Sequence, residues 1–516
     1  METRIKVFKN LYKDSVSLMQ ISAELLKRPD IDGASVAMAT ETNLHQLQEA
    51  GFELNFDAGP NDLFVAIRGA DAEVLDTILN EVEGQLTAAP VDQGDSGTYS
   101  QPNTSVEMAL DAQPDANLAL ISVPGQFAAA EAMKSLRLGL NVMLFSDNVS
   151  LEQELELKQY AEANDLLVMG PDCGTAIING TPLGFANVVR PGPIGVIAAS
   201  GTGLQEVTCR IHQLGSGISQ AIGTGGHDLA EQIGGISMLH GMRALAKDPA
   251  TEIIVLISKP PAPAVAETIL NLAREIEKPV IIHFLGAEPE SLEGNGVFAA
   301  ETLAQTAEMA VGALSGSPSR TTEGALDLEA QQRLKQVTGN LASTRKFLRG
   351  AFAGGTFCYE AQLLCRAAGL KGYSNTPVAG YLSLDNIWSS RENTLVDLGD
   401  DDFTKGRAHP MIDPSLRNER ILMEATDTET AVVLFDVVLG YGASEEPIAE
   451  LVTTIHKAQS ENPSAPAFIA HVCGTDSDPQ SREATIETLE SLGVLVASNN
   501  AEATRWATHI VLSRQS

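Results

Sequence analysis

Across 516 residues, 67 aspartates and glutamates outweigh 34 lysines and arginines, for a formal net charge of −33. Nucleic acid and anionic membrane are thereby excluded as partners, since both demand clustered positive side chains. An apolar content of 44% is enough to fill the about three to four domains that the length leads one to expect.

In chain order, strand-like stretches at 4–12, 34–39 and 62–67 alternate with helical patterns at about 13–27, 41–50 and 71–87, giving a small α/β domain over residues 1–88. "APVDQGDSGTYSQPNTS" (89–105) reads as a linker. A second domain, 106–190, carries "ANLALISVP" (116–124), "NVMLFSD" (141–147) and "LLVMG" (166–170) with helical stretches between them. These strands are too apolar to alternate, as in a parallel sheet covered on both faces. The pattern returns in a third domain, 191–314, with strands at 194–199, 217–223, 252–258 and 279–285, before a second linker, "SGSPSRTTEGA" (315–325). The last region, 326–516, opens on a helix and passes through an irregular stretch at 371–414. It closes with three strand–helix units, at 430–440, 465–474 and 493–499. The fold class expected is α/β, built from parallel doubly wound sheets.

The five cysteines (Cys173, Cys209, Cys358, Cys365 and Cys473) are scattered without CxxC spacing. Neither a disulfide framework nor a metal site is expected from them. No signal-type start and no apolar run of ~18 residues stand in the sequence, which reads as cytoplasmic.

Ligands of open parallel sheets sit at the carboxyl ends of the strands, which selects a few loops. "VIAASGTGLQEV" (196–207) reads as a strand, a turn at Ser200-Gly201-Thr202-Gly203 and a helix, and a helix N-terminus is a natural anion site. It is no Walker A loop, and Glu206 stands where a dinucleotide fingerprint needs its third glycine. An ordinary, well-capped turn is the alternative. "VMGPDCGTAIINGTPLGFANV" (168–188) is loop-like over some 18 residues and brings Asp172, Cys173, Gly174, Thr175 and Asn187 to the same sheet edge. Cys173 is either a nucleophile without an evident histidine or a buried, unreactive thiol. "AIGTGGHDL" (221–229) offers Gly225 and Gly226 for close backbone approach and His227 as an acid–base group or a cap, and "ISKPP" (257–261) offers Lys259, a charge for an anion or a solvated side chain. "LFDVVLGYGASEEP" (434–447) runs a strand into Gly440-Tyr441-Gly442 and a helix, and "HVCGTDSDPQ" (471–480) does so at Gly474-Thr475. "VDLGDDDFTKGRAHPMIDP" (396–414) holds Lys405, Arg407 and His409; its three consecutive acids read as a solvated loop rather than a magnesium site.

The order of these motifs resembles succinyl-CoA synthetase, and still more the FdrA family of acyl-CoA synthetase-like proteins. Residues 116–313 resemble the α subunit: "PGQFAAAEAM" and "GPDCGTAI" in a Rossmann-like coenzyme-binding-type domain, then "IGVIAASGTGLQEV", "IGTGGHD" and "KPVIIHFLGA" in a ligase domain. Residues 430–513, with "VVLGYGASEEPIAELV", are similar to the end of the β subunit. The resemblance implies flavodoxin-like ligase domains at 191–314 and about 426–516. It also implies two facing helices with a phosphate-like group between Gly201–Gly203 and Gly440–Gly442. The sequence departs from the synthetases at the phosphorylated histidine, where Asn295 stands, and His283 lies inside a strand. An amide forms no phosphohistidine. No ATP-grasp domain fits, and the Rossmann-like half lacks its opening glycine loop. Coenzyme A and ATP are therefore not expected of this chain alone, and no cofactor is assigned.

The closest members of the FdrA family are implicated as one subunit of an oxamate carbamoyltransferase, which converts oxalurate and phosphate to oxamate and carbamoyl phosphate in purine and allantoin breakdown. The resemblance thus implies a transferase subunit that binds phosphate, carbamoyl phosphate and oxamate and assembles with other subunits of one complex. Ser200, Gly201, Thr202 and Gly203 would hold the phosphate, with Gly440, Tyr441 and Gly442 opposite. Lys259 and Arg407 would add charge, and His227 or His409 would move protons. Two alternatives stand beside it: an acid–thiol ligase that uses a partner's nucleotide site, and a silent scaffold that keeps the fold.

Overall fold

The computed structural model describes residues 2–11, 13, 15–87, 103–320, 326, 328–405, 407–461 and 465–515. Of the two expected linkers, 89–102 and 321–325 lie outside the described residues. The chain divides into two units, one of residues 1–117, 122–127 and 404–408, the other of 118–121, 128–403 and 409–516.

In the first unit, β1 (Glu2–Phe8), α1 (Ser15–Leu26), β2 (Ile31–Met38), α2 (Glu41–Glu49), β3 (Leu63–Gly69) and α3 (Ala72–Thr87) follow the expected alternation, and α4 (Val106–Ala112) comes after them. The sheet runs β1-β3-β2 and is antiparallel, so the parallel arrangement does not extend to it. Its middle strand is wholly buried from Leu63 to Ile67, as a strand covered on both faces must be.

Next along the chain, β4 (Leu118–Ile121), α5 (Gly125–Arg137), β5 (Asn141–Leu144), α6 (Leu151–Ala163) and β6 (Val168–Met169) build a short parallel sheet. The long loop expected at 168–188 is instead an antiparallel hairpin of β7 (Thr175–Ile178) and β8 (Thr181–Gly184). Its two-residue turn is Asn179-Gly180, with φ of 49° and 78°, the turn chemistry that matches strand twist.

Then come β9 (Pro191–Ala199), α7 (Gly201–Gln213), β10 (Ile218–Gly223), α8 (Ile236–Lys247), β11 (Ile253–Ser258), α9 (Pro263–Glu275), β12 (Val280–Phe284), β13 (Val297–Ala299) and α10 (Leu303–Leu314). After α11 (Leu328–Asn340) stand β14 (Phe347–Phe352), α12 (Gly355–Ala367), the short β15 (Tyr373–Ser374) and β16 (Leu382–Ser383), β17 (Thr394–Asp397), α13 (Asp401–Thr404) and α14 (Ser415–Thr426). The chain finishes with β18 (Thr430–Val438), α15 (Ala449–Glu461), β19 (Ala467–Cys473), α16 (Arg482–Ser491), β20 (Leu495–Ala497) and α17 (Asn500–Gln515).

These two series repeat one another. One sheet contains the order β10-β9-β11-β12-β13, the other β17-β14-β18-β19-β20, both parallel throughout. Each is the flavodoxin-like order of second, first, third, fourth and fifth strand. Sequence agrees: Gly201-Thr202 and Glu206 of α7 match Gly355-Thr356 and Glu360 of α12. The second sheet therefore begins at β14, well before residue 426 and ahead of the stretch expected to be irregular, which itself contains β17. Arg349 hides β14 from a hydrophobic pattern. It is a buried guanidinium held by Glu424 at 3.2 Å and Asp427 at 3.0 Å.

Helices α7, α10, α12 and α17 pack between the two sheets around one core, with Leu204, Val207, Leu303, Phe357 and Ala361 buried. α8 and α9 cover the opposite face of the first sheet. Asn187 fastens the halves together. Its Nδ2 donates to Leu439 O at 2.9 Å and Asp478 Oδ2 at 2.8 Å, and its Oδ1 accepts from Gln205 at 3.1 Å. Asn187→Ala leaves these buried partners unmatched and should lower stability by about 1–3 kcal/mol, read as a lower urea midpoint for the full chain. An unchanged midpoint would contradict the joint.

Candidate functional site

β9 passes into α7 through Ser200, whose extended backbone and side chain make it the cap, with Oγ accepting the Gly203 N–H at 3.1 Å. β14 passes into α12 through Gly354, which has no side chain to cap with. Asp436 of β18 instead anchors the turn ahead of the helix by accepting the Ala353 and Gly354 N–H groups at 2.6 and 2.7 Å. The two helix starts meet, for Ser200 Oγ and Thr356 Oγ1 lie 2.6 Å apart. Among the described residues, the backbone N–H groups of Gly201, Thr202, Gly355 and Thr356 reach no protein acceptor. Two positive helix ends and four backbone donors at one place are the arrangement that physical chemistry requires for holding an oxyanion.

Asp397, the last residue of β17, is buried beside this junction; a Cβ on Gly355 would come within 2.5 Å of its Oδ2. Burial pushes its carboxyl up to about 7, against the pull of Lys259 and of the Gly399 N–H, which Oδ1 accepts at 3.0 Å. Asp397 can thus give or take a proton near neutrality. Lys259 extends from the end of β11 with Nζ 5.7 Å from the ring centre of Tyr359 on α12. His409 packs against Gly399, its Nδ1 accepting the Met411 N–H at 3.2 Å, and burial holds it down to about 4. It is a neutral imidazole at physiological pH.

Family models match along the chain: a CoA-ligase model at residues 351–510, a CoA-binding domain at 189–286, and "AllF, heavy metal-associated domain" at 1–102. Uncharacterized protein YahF of Escherichia coli strain K12 is 43% identical over 508 residues, 97% of each chain. The chain belongs to the succinyl-CoA synthetase-like family that includes YahF. The ADP-forming succinate–CoA ligase subunit alpha 2 of Archaeoglobus fulgidus is 27% identical over 231 residues, 44% of this chain and 78% of the relative. Among solved structures, PH0766 of Pyrococcus horikoshii OT3 aligns with a TM-score of 0.34 at 15% identity, over 82% of this chain and 88% of its own. The α/β sheets are those of the CoA-binding and ligase domains of this synthetase-like family. No described helix is long and apolar enough to cross a membrane.

Several expected site residues are placed otherwise. Gly440-Tyr441-Gly442 does not start a helix, because α15 begins only at Ala449. With φ of 115° and 77°, Gly440 and Gly442 carry a loop whose Gly440 and Tyr441 N–H groups are taken by Gln480 Oε1 and Ala186 O. The helix facing α7 is α12. Asn187 is a joint, Thr475 donates to Val188 O at 2.7 Å, and Gly474 O accepts from Gln213. Cys173 points its thiol at the Thr175 and Gly223 carbonyls, and burial pushes it up to about 12, which makes it inert. Gly174 closes the base of the hairpin by accepting the Phe185 N–H. Thr175 lies beside Gly201, with its hydroxyl on Phe185 O. Gly225 and Gly226 lie against Pro171 and Asp172, and His227 is exposed, 3.7 Å from Glu154. Arg407 belongs to the first unit, where its N–H reaches Thr404 O.

The loop before His227 is fixed by a residue the sequence did not single out. Buried Lys158 donates to Glu154 at 2.7 Å, Asp228 at 2.8 Å and Thr224 O at 3.0 Å. Thr356, Asp397 and Asp436 also escaped notice, and only the repeated Gly-Thr-x-x-x-Glu pattern could have pointed to α12.

Since Asp397 titrates higher in the fold than its ordinary 3.8, unfolding releases its proton between about 3.8 and about 7 and stability falls with rising pH across that window. Asp397→Asn should flatten the slope there and be the more stable form above it, measured by denaturant melts across pH. Identical slopes would contradict the assignment.

Proposed function

We propose that this chain is the oxyanion-binding subunit of an oxamate carbamoyltransferase, in which phosphate sits between the starts of α7 and α12. The observation that carries the reading is the Ser200–Thr356 contact, which aims two helix ends at one place. A phosphate oxygen attacks the carbamoyl carbon of oxalurate, the bond from that carbon to the oxamate nitrogen breaks, and the nitrogen takes a proton. Asp397 supplies that proton and is reprotonated from the phosphate or from solvent. The helix ends and Lys259 offset charge on the phosphate and on the carbamoyl oxygen.

The reaction needs no phosphohistidine, and this chain offers none where the synthetases carry theirs. Asn295 sits in a left-handed turn before β13 with its amide on Arg274 O of α9, the helix on the face of the sheet away from α7. The amino-terminal match to the AllF model accords with allantoin breakdown. Relatives that are α subunits of synthetases support protein partners for this chain as well.

A second reading, an acid–thiol ligase, is favoured by the CoA-ligase match and the succinate–CoA ligase relatives. Incubation with γ-labelled ATP separates the two, since labelled protein would support the ligase and the transferase reading expects none. Gly201 has room for a side chain, the nearest atom to an added Cβ being Thr175 Oγ1 at 3.7 Å. Gly201→Asp should therefore fold normally while weakening phosphate and carbamoyl phosphate binding tenfold or more (~1.4 kcal/mol) in calorimetric titration. Unchanged affinity would overturn the site.

A further inference from the structure

Away from the helix starts, the joint between the halves holds a mixed set of donors. Glu206 of α7 meets His471 of β19, with Oε2 and Nε2 2.7 Å apart and both side chains buried. The ligand atoms of Glu206, His471 and Cys473 all lie within 4.8 Å of one another. Cys209, one turn beyond Glu206 on the same face of α7, interacts electrostatically with the Cys473 thiol but stands outside that mutually close set of three. His471 and Cys473 share one face of β19, two residues apart. All four side chains are buried, neither thiol is in a disulfide, and His471 Nδ1 has no partner.

The repeat provides an internal control. At the counterpart joint Glu360 of α12 matches Glu206, and His283 of β12, in "HFLG", matches His471, in "HVCG". The two cysteines correspond to Leu363 and Leu285. There Glu360 binds Asn500 and the Leu303 N–H instead of a histidine, and His283 Nδ1 meets Ala300 O. Packing at this place is thus met by leucines; thiols occupy both positions only where an acid and an imidazole already touch.

We infer that Glu206, Cys209, His471 and Cys473 form a buried four-ligand site for a thiophilic divalent cation, zinc foremost, which clamps α7 to β19. One oxygen, one nitrogen and two sulfurs on a helix and a strand suit tetrahedral zinc. Binding replaces the Glu206–His471 contact with two metal bonds and displaces the protons of both thiols to solvent. The site is absent from the sequence pattern because its two halves are far apart along the chain.

The test uses the full chain, purified under reducing conditions, with zinc and cobalt(II) as probes. Wild type should retain about one zinc ion per chain after gel filtration. Cobalt(II) should give a thiolate charge-transfer band with tetrahedral visible absorption, and zinc should raise the melting temperature. Cys209→Leu/Cys473→Leu copies the counterpart joint, so it should fold, yet lose the band, the retained zinc and the thermal shift. The inference is overturned if wild type shows no band and no retained zinc, or if the double variant binds as wild type does.

Discussion

Two helices that begin at one point bring like partial charges together, about half a positive charge at each end. The contact between Ser200 and Thr356 holds that arrangement closed, and the surroundings have to make it tolerable. Asp436 does so at the α12 end by accepting two backbone N–H groups, and Asp397 lies beside Gly355. What is left over is a place with positive potential and backbone donors that reach no protein acceptor, which suits an anion. The core packing of α7 and α12 between the two sheets follows from the same demand, since helix ends that repel must be held rigidly from behind.

The repeat shows how one fold is varied at equivalent places. Both halves spend Gly-Thr on a helix start and place a glutamate one turn further in. They differ in what meets that glutamate: Asn500 and a backbone N–H for Glu360, His471 for Glu206. They differ again at the ends of the strands. Lys259 follows a strand of one half and Asp397 ends a strand of the other, so the groups beside the helix junction come from opposite halves.

Much of this was legible in the sequence. Apolar runs such as "VVLF" and "IIVLI" announce buried parallel strands because no polar face has to be shown. The α7 start was plain because serine, glycine and threonine after a strand have few other uses. The hairpin at 175–184 was misjudged, although Asn179-Gly180 is a turn signal, because glycines scattered through the segment resemble a loop. β14 was missed because a buried arginine breaks its pattern, and its compensation by Glu424 and Asp427 lies far along the chain. Gly440-Tyr441-Gly442 resembled the α7 start in composition, but positive φ at both glycines bends the chain away from a helix. Joints such as Asn187 with Asp478, or Glu206 with His471, bridge the two halves, and no local pattern carries that information.

The central claim is that one anion touches both helix starts, and amide hydrogen exchange of the full chain with and without phosphate tests it most directly. Protection should rise together in peptides covering 200–204 and 354–358 and stay unchanged around 440–444. Protection confined to the latter, or absent from either helix start, would contradict the account.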